Sequence, residues 1–367
     1  MRVLLSGPDG FLAWHVRCLA RARGGPELIP ATRETFESQS ALDDLVAGAD
    51  AILHLAGVNR ASSPDEVQRG NELLANQIAA AVRRSGCPLT IVYANSIQSL
   101  NDSPFGTSKR EAALTLADAA NDVGGRLVDV LLPNIFGENG RPFYNSVVAT
   151  FCHQLARNEE PRIEVDRQIQ LLHAQDAAAL LLDELEHPSQ GQVLPKGQQT
   201  EVGALLRRLQ VMSGDYVVGD LPDLSDSFTR NLFNTYRFAT FPHRWPVEPE
   251  LRVDQRGSLF EAARARGGET QSFLSTTNPG LTRGQHYHLH KVERFMVLRG
   301  EADISLRKLF TSEVVTFRVS GKHPAFIDMP TMWVHGITNV GEGELLTMFY
   351  ADEIFRPETP DTFAEEV

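Results

Sequence analysis

Cysteine is scarce in this sequence: three in 367 residues, at Cys18, Cys87 and Cys152. Their wide spacing provides neither a disulfide framework nor a thiolate metal motif. Long apolar runs are missing as well. None approaches the roughly 20 residues needed to span a bilayer, so no membrane-embedded chain is expected. The opening Met1-Arg2-Val3-Leu4-Leu5-Ser6-Gly7 runs as a strand into a turn. It lacks the apolar stretch and cleavage site of a secretory signal. There is no long basic run, and charges of both signs are mixed along a chain of net charge -12. That speaks against a nucleic-acid partner but leaves a small anionic ligand open. No internal repeat is present. Together these absences lead to the expectation of a cytoplasmic globular protein.

What is present points to two domains, since the chain is too long for one typical core. Hydrophobic residues make up 42% of it, ordinary for a globular protein. Strand-like runs at Arg2–Ser6, Glu27–Ala31, Ala51–Ala56, Leu89–Tyr93 and Leu127–Leu132 alternate with helix-like runs at Leu12–Arg23, Asn71–Ser85 and Ser108–Val123. Such alternation predicts a parallel, doubly wound sheet. Three prolines, Pro242, Pro246 and Pro249, then mark a connection. Beyond it strands dominate: Gln271–Ser275, Phe295–Leu298, Ala302–Arg307, Val314–Val319, Ala325–Met329 and Leu345–Tyr350. The expected architecture is an α/β Rossmann domain over 1–245 and an all-β barrel over 246–367.

The barrel half carries the most informative motif. Residues 280–300 follow the pattern G-x5-H-x-H-x4-E-x6-G, and His335 and Asn339 come later. On a strand, His286 and His288 point to one face, and Glu293 can return to that face on the next strand. Three imidazoles and a carboxylate suit one divalent ion such as zinc, iron, manganese or nickel. The pattern resembles the two-part signature of cupins, jelly-roll barrels that often pair through their sheets, so a homodimer is expected. The second part is less regular: Pro330, His335 and Asn339 fit, but Pro324 and Met332 stand where glycines are usual.

In the first half, Ser6-Gly7-Pro8-Asp9-Gly10-Phe11-Leu12-Ala13 follows the first strand and opens the first helix. Gly7 and Gly10 allow a tight turn and close approach of a pyrophosphate to the helix N-terminus. Arg33, after the second strand, suits a 2'-phosphate better than a ribose hydroxyl, which favours NADPH over NADH. Ala56 and Gly57 end the third strand, where they would lie beside the cofactor.

Ser96 and the run Pro104-Phe105-Gly106-Thr107-Ser108-Lys109 resemble the extended short-chain dehydrogenases/reductases. That family uses a serine, a tyrosine and a lysine, with the last two spaced Y-x-x-x-K. Ser96 and Lys109 match, and the tyrosine position is Phe105, which has no proton to give. Three readings stand side by side. The domain has lost redox activity and kept binding, a hydroxyl such as that of Tyr93 or Tyr144 substitutes, or Phe105 is an introduced change that traps a complex.

Both halves, with Asn59, Asn134, Tyr144-Asn145, Asp254-Gln255-Arg256-Gly257-Ser258 and the stretch Phe355–Thr362, resemble one family over essentially the whole chain. This is the bifunctional reductase/epimerase of capsular and O-antigen polysaccharide synthesis, acting towards UDP-N-acetyl-L-fucosamine. The resemblance implies C-3 epimerisation of a UDP-4-keto-6-deoxy-N-acetylhexosamine at the cupin. It also implies NADPH-dependent reduction of the C-4 ketone by the first domain, with Asn59, Asn134, Tyr144, Asn145, Arg256 and Arg283 on the UDP- or dTDP-sugar. Arg283-Gly284-Gln285-His286-Tyr287 is also similar to a stretch of deoxysugar 3,5-epimerases in which the histidine is the base and the arginine holds the phosphates. His286 cannot easily be both free base and metal ligand. His290 and Lys291 are the other candidates for moving the proton, and strict alternation would put His290 on the His286 face. A redox-silent first domain beside an active epimerase, and a non-catalytic sugar-nucleotide-binding protein, are the alternatives.

Overall fold

Val3, Leu4, Leu5 and Ser6 are all buried, as a strand covered on both faces requires. This strand, β1 (Arg2–Ser6), anchors a Rossmann sheet in a computed structural model that describes residues 1–367. The chain continues through α1 (Phe11–Arg23), β2 (Glu27–Ala31), α2 (Arg33–Glu37), α3 (Gln39–Ala47), β3 (Ala51–His54), α4 (Pro64–Ser85), β4 (Thr90–Ser96), α5 (Pro104–Asp122), β5 (Arg126–Leu132), β6 (Asn134–Phe136), α6 (Val147–Leu155), β7 (Gln168–His173), α7 (Ala174–Glu186), β8 (Gly191–Val193) and β9 (Gln198–Glu201). A six-stranded sheet runs β2-β1-β3-β4-β5-β8, all parallel, and a smaller sheet runs β6-β7-β9. The strand order reverses between β1 and β3, and ligands of such sheets bind beyond the strand C-termini at that reversal.

The helix starts are set by caps. Ser63 accepts from Glu66 N–H and Pro64 opens α4; Ser103 accepts from Gly106 N–H and Pro104 opens α5. Both helices begin earlier than their apolar periodicity indicates, because Ser-Pro supplies a cap and a pre-set first turn. No helix is long and apolar enough to cross a membrane.

The rest comprises α8 (Val202–Val217), β10 (Asp220–Leu221), α9 (Ser227–Thr240), a hairpin of β11 (Arg252–Asp254) and β12 (Gly257–Leu259), β13 (Arg264–Ala265), and the barrel strands. These are β14 (Gln271–Thr277), β15 (Thr282–Tyr287), β16 (Glu293–Arg299), β17 (Glu301–Lys308), β18 (Val314–Ser320), β19 (Phe326–Met329), β20 (Trp333–Asn339), β21 (Leu345–Ala351) and β22 (Phe363–Ala364). They form antiparallel sheets ordered β14-β21-β16-β19 and β18-β17-β20-β15-β22. Phe295, Val297, Ile304, Leu306, Ile337 and Phe349 are buried in the jelly-roll core.

The chain divides into two compact units: Met1–Phe136 with Ile169–Thr200, and Gly137–Gln168 with Glu201–Val367. Helices α8 and α9 therefore belong with the barrel. Tyr216 Oη donates to Asp328 Oδ2 at 2.8 Å, and Arg237 Nη1 donates to the Met329 carbonyl at 3.0 Å. Asp328 also pairs with Arg294 at 2.6 Å, and both side chains are buried.

Candidate active sites

β15 and β20 are neighbours, and His286 lies directly opposite His335. A bulge between Gly284 and His286 makes this register possible. Gly284 has φ +91°, and a Cβ there would sit 2.9 Å from the His335 carbonyl oxygen, so only glycine fits. His288 follows the end of β15. Glu293 opens β16 in the facing sheet. The ligand-type atoms of His286, His288, Glu293 and His335 lie within 4.8 Å of one another. From Glu293 Oε2 the Nε2 atoms of His288, His335 and His286 are 3.1, 3.3 and 3.8 Å away.

The outer nitrogens fix the tautomers. His288 Nδ1 is 2.5 Å from the Asp361 carbonyl oxygen and His335 Nδ1 is 3.0 Å from that of Trp333. A carbonyl only accepts, so the ring proton sits on Nδ1 and the Nε2 lone pair faces inward. His286 Nε2 is buried and has no hydrogen-bond partner. Burial pushes Glu293 up, but the imidazoles around it more than offset this and hold it well below the usual carboxylate range. Burial lowers His335 to about 4, keeping it neutral. Converging lone pairs on a buried carboxylate are the donor set of a divalent cation, and these four residues fit one.

His290 does not join them. β15 ends at Tyr287, so the two-residue alternation expected to carry His290 to the His286 face stops short of it. Its ring lies between Glu353 (Nε2–Oε2 3.6 Å) and Asp361 (Nδ1–Oδ2 3.4 Å). Burial lowers the His290 pKa, but the two carboxylates outweigh it and the net shift is upward. Lys291 is buried, its Nζ donating to Thr362 Oγ1 at 3.0 Å. Arg283 Nε donates to the Thr276 carbonyl at 3.0 Å. Exposed Arg256 is paired with Asp254 at 2.5 Å. Met332, where cupins usually have glycine, takes φ +60° and its amide donates to the His288 carbonyl at 2.7 Å.

In the Rossmann unit, Gly7 has φ +66°, and a Cβ there would meet Ala56 Cα at 3.0 Å. The chain turns back at Gly10, whose amide donates to the Gly7 carbonyl at 3.0 Å before α1 begins. Phe11 and Leu12, half-buried, form its first turn, and Ala13 is buried. This turn and helix end form a cradle open to a pyrophosphate. Arg33 opens α2 and is exposed. Gly57 and Asn59 lie on the exposed loop after β3. Buried Asn71 holds that loop, accepting from Val58 N–H and donating to the Val58 carbonyl, both at 2.9 Å.

Ser96 ends β4, its hydroxyl accepting from Gln98 N–H at 3.2 Å. Phe105 lies half-buried in the first turn of α5, one turn before Lys109. Lys109 is buried, donates to the Ala94 carbonyl at 2.8 Å and sits 4.1 Å from the Tyr93 ring centre. Burial lowers its pKa to about 7, partly offset by Asp129. Tyr93 cannot replace the missing phenol. It is 1% exposed, packs in the core against His54, and burial and Asp129 drive its pKa far up. Asn134 Nδ2 donates to the Gln170 carbonyl at 3.2 Å. Tyr144 and Asn145 belong to the other unit, with Arg141 5.1 Å from the Tyr144 ring centre. Sequence reading missed Asn71 and the buried Asp129, which accepts from Asn95 and Gln192 at 2.8 and 2.9 Å.

Comparison with known proteins agrees with this arrangement. Residues 10–203 match the NAD dependent epimerase/dehydratase family and residues 252–363 the polysaccharide biosynthesis C-terminal domain. UDP-2-acetamido-2,6-beta-L-arabino-hexul-4-ose reductase of Pseudomonas aeruginosa is 33% identical over 99% of this chain and 98% of its own length. The capsular polysaccharide assembling protein CapF from Staphylococcus aureus is 27% identical, with a TM-score of 0.64 and both chains fully covered. RMD from Pseudomonas aeruginosa, solved with NADPH, shares the fold of the first half at 22% identity and a TM-score of 0.53, covering 58% of this chain and 82% of its own. The chain is thus a sugar-nucleotide enzyme of polysaccharide synthesis and belongs to the bifunctional capsular polysaccharide reductase/epimerases, in which a domain of the NAD-dependent epimerase/dehydratase family is fused to a cupin.

Proposed function

We propose that residues 246–367 epimerise C-3 of a UDP-4-keto-6-deoxy-N-acetylhexosamine and that residues 1–245 bind NADPH to reduce its C-4 ketone. The observation that carries this reading is the convergence of His286, His288 and His335 on Glu293. The full-length relative, named as a reductase of a UDP-hexul-4-ose, supports a 4-keto sugar nucleotide. A divalent ion held by the four residues would supply Lewis acidity beside the ketone. The C-3 proton is acidic because its carbanion delocalises into the adjacent carbonyl. Removing it and returning a proton to the opposite face inverts the carbon, with no net change in atoms. His286 is committed to the cluster, so His290, oriented by Glu353 and Asp361, is the proposed proton carrier. Arg283 and Arg256 are the proposed phosphate contacts, with Asn59, Asn134, Tyr144 and Asn145 on the sugar nucleotide.

NADPH would supply hydride in the reductase half. Gly7, Gly10, Phe11, Leu12, Ala56 and Gly57 would surround it, with Arg33 on the 2'-phosphate. Ser96 would hold the ketone oxygen and Lys109 the ribose. Phe105 leaves the proton donor missing, and this favours a second reading in which the epimerase works beside a redox-silent nucleotide-binding domain. A cytoplasmic homodimer through the barrel completes the proposal. β14 is a sheet edge, and its Phe273 and Leu274 are 41% and 63% exposed; light scattering would report the mass.

The deciding experiment incubates the protein with the 4-keto sugar nucleotide in heavy water, with and without NADPH, and follows products by NMR. Deuterium at C-3 without NADPH, and a C-4 alcohol only with it, are expected from the first reading. Deuterium exchange with no NADPH oxidation selects the second. Elemental analysis of protein purified without chelator should find close to one divalent ion per chain. Tropolones chelate through two adjacent oxygens, so 3-isopropenyl-tropolone, the inhibitor named with CapF, is a suitable probe of that ion.

A further inference from the structure

The loop from His288 to Glu293 joins two of the four converging residues, yet it has almost no regular structure of its own. Its geometry is imposed from a distant stretch of chain. Asp361, 4% exposed, accepts three consecutive amides: Leu289 N–H on Oδ1 at 2.9 Å, and His290 and Lys291 N–H on Oδ2 at 2.9 and 2.7 Å. The main-chain carbonyl of the same residue accepts from His288 Nδ1 at 2.5 Å. The adjoining amide, Val292 N–H, goes to Asp352 Oδ1 at 2.8 Å. Two residues beyond Asp361, β22 pairs with β15 and places Phe363 and Ala364 opposite Tyr287 and His286.

A carboxylate is needed at 361 for a specific reason. Three donors aimed at one point demand an acceptor with several lone pairs and no hydrogens. Charge-assisted bonds of this kind are short and strong, and once buried they leave the loop a single conformation.

We propose that Asp361 is a positioning residue for the metal ligands, its carboxylate fixing the backbone between His288 and Glu293 and its carbonyl fixing the His288 ring. The proposal rests on the metal reading of the cluster. Partners one step out from a metal commonly change its affinity by about 10–100-fold.

The test uses cobalt(II), whose visible spectrum reports ligand geometry. Wild type, Asp361→Ala and Asp361→Asn would be titrated against a chromogenic chelator, with circular dichroism as the fold control. Asparagine keeps the shape but turns one acceptor into a donor facing the amides. A folded Asp361→Asn protein that binds cobalt about 10–100-fold more weakly, with an altered visible spectrum, is the expected result. Affinity and spectrum matching wild type would overturn the proposal. So would loss of the native circular dichroism signal in Asp361→Asn, because the residue would then be holding the barrel and not the site. Wild type taking up no cobalt would instead bring down the metal reading, and this proposal with it.

Discussion

At position 105 a single oxygen separates this chain from the serine, tyrosine and lysine set proposed for its reductase half. Ser96 ends β4, and Lys109 is buried, with its pKa lowered to about 7 by burial. We expect slow ketone reduction as the chain stands, and Phe105→Tyr to raise it by up to about 10²–10⁴-fold, the usual worth of a placed general acid. NADPH oxidation at matched cofactor saturation measures this; a fast wild type would mean another group donates the proton. Arg33 offers a second check. Arg33→Ala should weaken NADPH binding in calorimetry and leave NADH nearly unchanged, whereas equal affinities in wild type would refute the 2'-phosphate assignment. The sequence singles out Ser96, Phe105 and Lys109 through their resemblance to the reductase pattern, and Arg33 through its place after the second strand. It gives no sign of Asn71, Asp129 and Asp361, whose parts appear only when folding brings their partners to them.

Among elements, β15 is the most constrained. Its bulge at Gly284 sets His286 against His335, and an alanine there would be strained at φ +91° and crowd the His335 carbonyl. Gly284→Ala should cost roughly 1–3 kcal/mol of stability and weaken metal binding, read by thermal melts with and without chelator. Melts unchanged by the substitution would show that the bulge relaxes freely. Apolar runs foretold 11 of the 22 strands. Period-two alternation failed at His290, where the strand stops at Tyr287, and apolar periodicity at the starts of α4 and α5, where caps and not apolar faces decide. Met332 shows the converse: a glycine position by backbone, φ +60°, occupied by a fully buried side chain.

For the whole molecule, acid should act through buried histidine. His54, beside Ser6 and Tyr93, has its pKa lowered by burial and by Lys109 from 6.5 to about 3. The fold favours the neutral ring, so its contribution is fully present above about pH 6.5 and is lost as pH falls towards 3. The unfolding free energy from urea titrations should therefore drop through this window, by at most roughly 1.4 kcal/mol per pH unit from this group. His54→Asn should flatten that limb, and an unchanged slope would assign the acid sensitivity elsewhere. The division into compact units has another consequence. Tyr216 and Arg237, on helices that precede the proline-rich connection, bond to Asp328 and Met329 within the barrel. A gene cut at the connection would strip the barrel of partners for a buried carboxylate and a buried carbonyl. Recombination could exchange the barrel's unit whole only by carrying Gly137–Gln168, α8 and α9 with it, and because residues 169–200 return to the first unit, natural shuffling would find no single seam.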